Sequence, residues 1–351
     1  LPDFQKNIQD SLSLHKNCID GESLIFFRHI ALPPKGLSMN LQKGTSYRPN
    51  SQSLFLCNVC ALLTVAAWGV SFVATKVLLD HGLHPTEVYV SRTLLAYILL
   101  FAVCHKRLVS YSVRDELLFV ACGMCGGSLY FIAENTALQH TLVSNVSLIV
   151  TLAPLITTLL VGALYKSEKP TKGMYVGSVV AFMGVGLVIF NSSFVLSVKP
   201  LGDLLALSAA VCWAVYSVVL RKLSAFYSVL FITRKTFFYG LITALPFLFT
   251  EPGHCDLHVF LDTAVWANFL FLGVFCSMIA FLIWAWAVKG LGAVKANNYL
   301  YVQPIVTLVA SALLLGERVT WVGYLGCALI LSGVILADQL NIGSPDKKPN
   351  Q

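Results

Sequence analysis

Charge is what this sequence has least of. Of its 351 residues only 12% are Asp, Glu, Lys or Arg, while 57% are hydrophobic. Soluble domains carry about 25% charged residues. So few charges cannot clothe a water-soluble surface or track a nucleic-acid backbone. A disordered chain, a nucleic-acid binder and a two-domain cytosolic enzyme are therefore excluded. The signatures of several chemistries are missing too. There is no Walker A loop, so the chain consumes no ATP of its own. There is no G-x-S-x-G, no H-E-x-x-H and no intramembrane Asp pair, so a membrane-embedded enzyme would lack its nucleophile or metal. Ten cysteines are present. The two C-x-x-C pairs, Cys57/Cys60 and Cys122/Cys125, have no His or second Cys pair in their own segments, and they read as small apolar packing residues. His254, Asp256 and His258 read as solvated loop residues. No metal, no cofactor and no catalytic residue is expected.

What the chain has in quantity is apolar length. A helix needs about 20 apolar residues to cross the hydrocarbon core. From residue 54 to 338 ten such runs follow one another, near 54–79, 87–104, 116–138, 142–164, 173–190, 202–221, 227–249, 264–288, 293–315 and 320–338. Backbone polar groups in lipid must be paired within their own segment, so these runs are helices. The short alternating segments of a membrane β-barrel are absent. Residues 1–53 read as a polar, unstructured cytoplasmic tail, with Met39, the first methionine, as a candidate native start. Residues 339–351 read as a second cytoplasmic tail.

The formal net charge of +7 reports topology. With a cytoplasmic N-terminus, the inner loops hold Lys106, Arg107, Arg114, Lys166, Lys169, Lys172, Arg221, Lys222, Lys289 and Lys295. The outer loops hold Lys199 and Arg318, and Lys76 lies at the outer end of the first run. That imbalance is the positive-inside pattern and predicts both termini in the cytoplasm. Arg234 and Lys235, near the inner end of the seventh run, read as cations snorkelling to headgroups.

The chain also repeats itself. Trp68 and Lys76 in AAWGVSFVATK correspond to Trp213 and Arg221 in AVCWAVYSVVLRK. Pro154 and Thr157 in TLAPLITTLL correspond to Pro304 and Thr307 in YVQPIVTLVA. Glu168, Thr171, Tyr175, Gly177 and Gly184 correspond to Glu317, Thr320, Tyr324, Gly326 and Gly333. The repeats are expected at 54–190 and 202–338. Five helices per repeat is an odd number, so the second half enters the membrane upside down. The predicted fold is an all-α integral membrane protein of ten transmembrane helices, arranged as two inverted five-helix repeats. Inverted repeats are a mark of secondary transporters, with the substrate site near the midplane at the repeat interface.

These segments carry a family likeness. WGVSF at 68–72, NTAL and SNVSLIVTLAPL within 135–155, and LLLGERVTW at 313–321 resemble the EamA family of the drug/metabolite transporter superfamily. The likeness covers about 54–338. The YKSEKPT of the first half departs from the LGERVT kept in the second. The resemblance implies alternating access and movement of a small metabolite, often export of amino acids or related compounds, across a cell (inner) membrane. A channel or a non-transporting receptor is the competing reading.

Polar groups inside the runs are the place to look for a site, because lipid penalises them. In the fourth helix Ser144, Ser147, Thr151, Pro154 and Thr158 share one face. In the ninth, Asn297, Tyr301 and Pro304 share the equivalent face, flanked by Asn298 and Gln303. Helix packing through small polar residues competes for the Ser and Thr, and Asn297, Asn298, Tyr301 and Gln303 are read as cavity lining. Trp68, and Trp213 with Tyr216, are candidate aromatic contacts for a substrate, against a plain core role. Pro154 and Pro304 should each kink a helix and free the carbonyl four residues before, at Val150 and Leu300. Glu134, the one carboxylate well inside a run, and Arg92 at similar depth are expected to form a buried ion pair, structural or coupled to transport. The expected partners are a small-molecule substrate and the lipid bilayer, without nucleic acid.

Overall fold

A computed structural model describes residues 51–104, 108–140, 146, 149–165, 170–189, 200–249, 257–315 and 321–342. Residues 1–50, Met39 among them, residues 343–351, and Ser144, Ser147, His254 and Asp256 lie outside the described residues, whereas 51–53 and 339–342, expected as parts of the tails, belong to helices. Among the described residues ten α-helical stretches follow in chain order, with a short 3₁₀ helix at Leu257–Leu261 before the eighth. They are α1 (Ser51–Asp80), α2 (Pro85–Val103), α3 (Val113–His140), α4 (Ala153–Leu164), α5 (Lys172–Ile189), α6 (Pro200–Leu223), α7 (Val229–Leu248), α8 (Thr263–Leu291), α9 (293–315) and α10 (Trp321–Ile342). No strand occurs among the described residues. By length and composition α1, α2, α3, α6 and α8 can each cross a membrane, and α4, α5 and α10 contain shorter apolar helices.

Local chemistry sets the ends. Pro85 opens α2, where its missing N–H costs nothing, and Glu87 reaches back to the His84 backbone N–H at 2.9 Å. Ser112 caps α3 by accepting from the Asp115 backbone N–H, and Asp262 caps α8 by accepting from that of Ala264. Gly292, at φ +84°, ends α8 and starts α9, a corner in the left-handed region that glycine adopts without strain.

The packing obeys the repeat. α8 lies against α1 and α2 as α3 lies against α6 and α7. α9 lies on α1 as α4 lies on α6. The pairs α2–α7, α4–α9 and α5–α10 each join equivalent helices of the two halves. Exchanging the halves maps each of these pairs onto itself or another of them, as a two-fold repeat requires. Two further features recur at corresponding places. α3 contains a π-helical turn at Met124–Ser128, where Gly127 departs to φ −134°, ψ −105°, and α8 contains one at Phe271–Ile279. α4 begins after a turn at Thr151–Leu152, and α9 tightens into a 3₁₀ stretch at Tyr299–Val302 before its last segment. Pro154 and Pro304 each fall in the first turn of the segment that follows. There a proline has no helical bond to remove, so the expected mid-helix kinks are breaks placed just ahead of the prolines.

α5 and α10 approach closely because glycines face each other. A Cβ on Gly177 would sit 2.5 Å from the Gly333 carbonyl oxygen, and one on Gly333 would sit 2.4 Å from the Ala181 nitrogen. Backbone atoms cannot step aside cheaply, so Gly177→Val should destabilise the protein by about 1–3 kcal/mol. Gly186→Val, with nothing within 4 Å of its added Cβ, is the control. Thermal unfolding in detergent should separate the two, and equal midpoints would reject the close contact.

Arg234 and Lys235 correct an expectation. Both are buried rather than snorkelling. The Lys235 ammonium meets the Glu116 carboxylate on α3, and the Arg234 guanidinium donates to the Cys104 carbonyl. A carboxylate and a helix-end carbonyl fixed beside them replace the headgroups.

Candidate functional site

A cleft opens between the two halves. Its cavity volume is about 40 Å³, room for a few waters, so the site is narrow in this structure. α1 contributes Trp68, Ser71 and Phe72, α2 contributes Arg92, and α3 contributes Tyr130, Phe131 and Glu134. Val150, Thr151 and Ala153 come from the break before α4. The second half adds Trp213 from α6 and Leu300 and Gln303 from α9.

Aromatic rings form one wall. Trp68 and Trp213 meet edge to face with centroids 5.2 Å apart, and Tyr130 lies 5.1 Å from Trp213. Trp68 is held by its indole N–H, which donates to the Cys276 carbonyl at 3.0 Å. The Gln303 amide reaches the Trp68 carbonyl at 3.5 Å. These contacts cross between the halves, so the wall depends on how the halves sit together.

The cleft carries one cation and one carboxylate. Arg92 is 2% exposed, its Nε donates to Ser277 Oγ at 2.8 Å, and its guanidinium lies over the Phe131 ring, 4.6 Å from the centroid. Glu134 is 7% exposed and accepts from the Tyr130 hydroxyl at 2.8 Å. The two charges are close enough to interact electrostatically. No direct ion pair joins them among the described residues. The expected buried ion pair is therefore corrected: each head group takes a neutral partner, and the charges stay apart.

Of the other candidates, Trp68, Trp213, Thr151 and Gln303 line this cleft, and Asn297, Asn298, Tyr301 and Tyr216 do not. The Asn297 Oδ1 accepts from the Trp213 indole at 3.0 Å and from Ser217 at 3.3 Å, while its Nδ2 donates to the Ala293 carbonyl at 2.8 Å. Its polar groups are consumed by the fold, and it steadies Trp213 from behind. Asn298 accepts from Ser178 on α5 at 3.4 Å. Tyr301 packs among Ala181, Val185 and Ile330 on the α5–α10 pair, and the Tyr216 ring lies against Gly126 in the π turn of α3. Sequence reasoning missed Tyr130, Phe131 and Ser277. Tyr130 stands four residues before Glu134 on one helix face, a readable spacing. Ser277 left no local signal.

A cleft between two repeated halves, with separated opposite charges beside an aromatic wall, is the arrangement expected of a membrane transporter. The chain belongs to the EamA-like transporter family, whose sequence profile matches residues 55–190 and 200–337. Curated relatives carry transporter names. One, "Probable terminal-alkyne amino-acid exporter" of Streptantibioticus cattleyicolor, is 29% identical over 80% of this chain and 93% of its own length. "Probable amino-acid metabolite efflux pump" of Escherichia coli is 25% identical over 79% and 93%. A solved crystal structure aligns at TM-score 0.66 and 19% identity, covering 85% of this chain and 100% of that one, a likeness of fold alone. The protein is a multi-pass membrane protein that handles a small-molecule substrate.

Proposed function

We propose that this transporter exports a small zwitterionic metabolite, an amino acid or a related compound, by alternating access. The carrying observation is the pair of unjoined charges beside the aromatic wall. Arg92 suits a carboxylate, Glu134 suits an ammonium group, and Trp68, Trp213 and Tyr130 suit an apolar body. The names of the two relatives point the same way. The breaks before Pro154 and Pro304 are the bending points between facing states. With no ATP-binding loop, the driving force is an ion or substrate gradient. The positive-inside pattern favours a cell (inner) membrane location with both termini cytoplasmic.

Counterflow in proteoliposomes tests the reading. Liposomes preloaded with unlabelled amino acid should accumulate the labelled compound transiently above equilibrium. A carrier gives that overshoot, whereas a channel or a receptor gives none. Simple equilibration with every amino acid offered would overturn the proposal.

A further inference from the structure

Two opposite charges in one cleft should not stay apart unaided. Opposite unit charges at close range inside a protein attract strongly. Arg92 has a flexible stem, and Glu134 lines the same cleft. Something must hold the guanidinium back. Among the described residues its one hydrogen bond is Nε to Ser277 Oγ at 2.8 Å, supported by the face of Phe131. Ser277 is 2% exposed and lies in the π turn of α8. The preceding residue in that turn, Cys276, accepts the Trp68 indole N–H. Two consecutive residues of one π turn thus fix a charge and a ring of the same cleft. π turns inside α-helices occur often at functional sites.

We propose that Ser277 is a positioning residue. It holds Arg92 off Glu134 and thereby sets a preference for zwitterions over amines that lack a carboxylate; this rests on the transport reading above. The bond engages Nε alone. Both terminal nitrogens of the guanidinium remain for a carboxylate, which they can grip as a planar fork. Glu134 in turn keeps an oxygen for an ammonium group. Once the serine hydroxyl is gone, the guanidinium turns to Glu134, and the two charges satisfy each other instead of a substrate.

The test has one readout that needs no substrate. Full-length protein carrying ¹⁵N-arginine is placed in nanodiscs, and the Arg92 Nε–H resonance is assigned with Arg92→Lys. Wild type should show a distinct, slowly exchanging signal. Ser277→Ala should shift it and speed its exchange at least tenfold, and Ser277→Thr, which keeps the hydroxyl, should restore it. The second readout is uptake of phenylalanine against phenethylamine, which differ by the carboxylate. Ser277→Ala should lower the preference for phenylalanine about tenfold, again rescued by Ser277→Thr. An Nε signal indifferent to Ser277→Ala overturns the positioning role, and equal loss of both compounds overturns the selectivity role. A wild type that takes up neither compound, with an Nε signal still answering to Ser277, overturns the zwitterion reading while supporting the positioning of Arg92.

Discussion

Arg92→Met should lower transport of a zwitterionic substrate by about 100-fold or more. Removing one partner of a buried, hydrogen-bonded charge pair costs about 2–5 kcal/mol, and each 1.4 kcal/mol is about tenfold. The loss should be large because Arg92 is the cation of the cleft wall and its removal leaves the substrate carboxylate unpaired in a buried site. Methionine keeps much of the stem, so the packing over Phe131 survives in part. Glu134→Gln should act through the other end of the substrate. An ionised carboxylate is needed to receive an ammonium group, so wild-type transport should fall as acidification protonates Glu134. The glutamine variant should be slower at neutral pH, with that dependence flattened. Initial rates across a pH series in proteoliposomes measure both. Wild-type rates with an unchanged pH profile in Glu134→Gln would remove the carboxylate from the mechanism.

The ten-helix plan was legible because it rests on length alone: each apolar run is long enough to cross lipid, and an odd number per repeat forces inversion. The matched tryptophans were legible for the same reason, since Trp68 and Trp213 sit at equivalent places and both line the cleft. The facing of α9 was not. Asn297, Asn298 and Tyr301 form a polar cluster on any helical wheel, but a 3₁₀ stretch at Tyr299–Val302 changes the turn per residue in their midst. The cluster is divided between Trp213 on one side and the α5–α10 pair on the other, and Gln303 alone of the four remains at the cleft. The similar distances of Arg92 and Glu134 from the ends of α2 and α3 were legible, because they follow from counting. Their bonding was not, because Ser277 lies 185 residues from Arg92 and in a π turn that periodicity does not announce.

The other large effect should arise at the opposite end of α3. Glu116 lies 18 residues before Glu134, roughly 27 Å along a helix that rises about 1.5 Å per residue. Its carboxylate accepts from the Lys235 ammonium, the Tyr239 hydroxyl and the Ser110 hydroxyl. Next to it, the Tyr227 hydroxyl donates to Asp115 at 2.8 Å and accepts from the Tyr111 backbone N–H at 2.8 Å. These bonds tie the start of α3 to α7 and to the turn just before it, far from the cleft. Glu116→Ala leaves the Lys235 ammonium, whose side chain is only 7% exposed, without its carboxylate. Breaking a buried pair from one side costs about 3–5 kcal/mol. The Glu116 side chain is 25% exposed, which places the expected loss at the lower end of that range. Lys235→Met should cost less, because Glu116 keeps Tyr239 and Ser110. The double variant should cost less than the sum of the two, since it removes the stranded cation together with its partner. Thermal unfolding of the four proteins in nanodiscs gives the cycle. Strict additivity would mean that Glu116 and Lys235 contribute independently to stability.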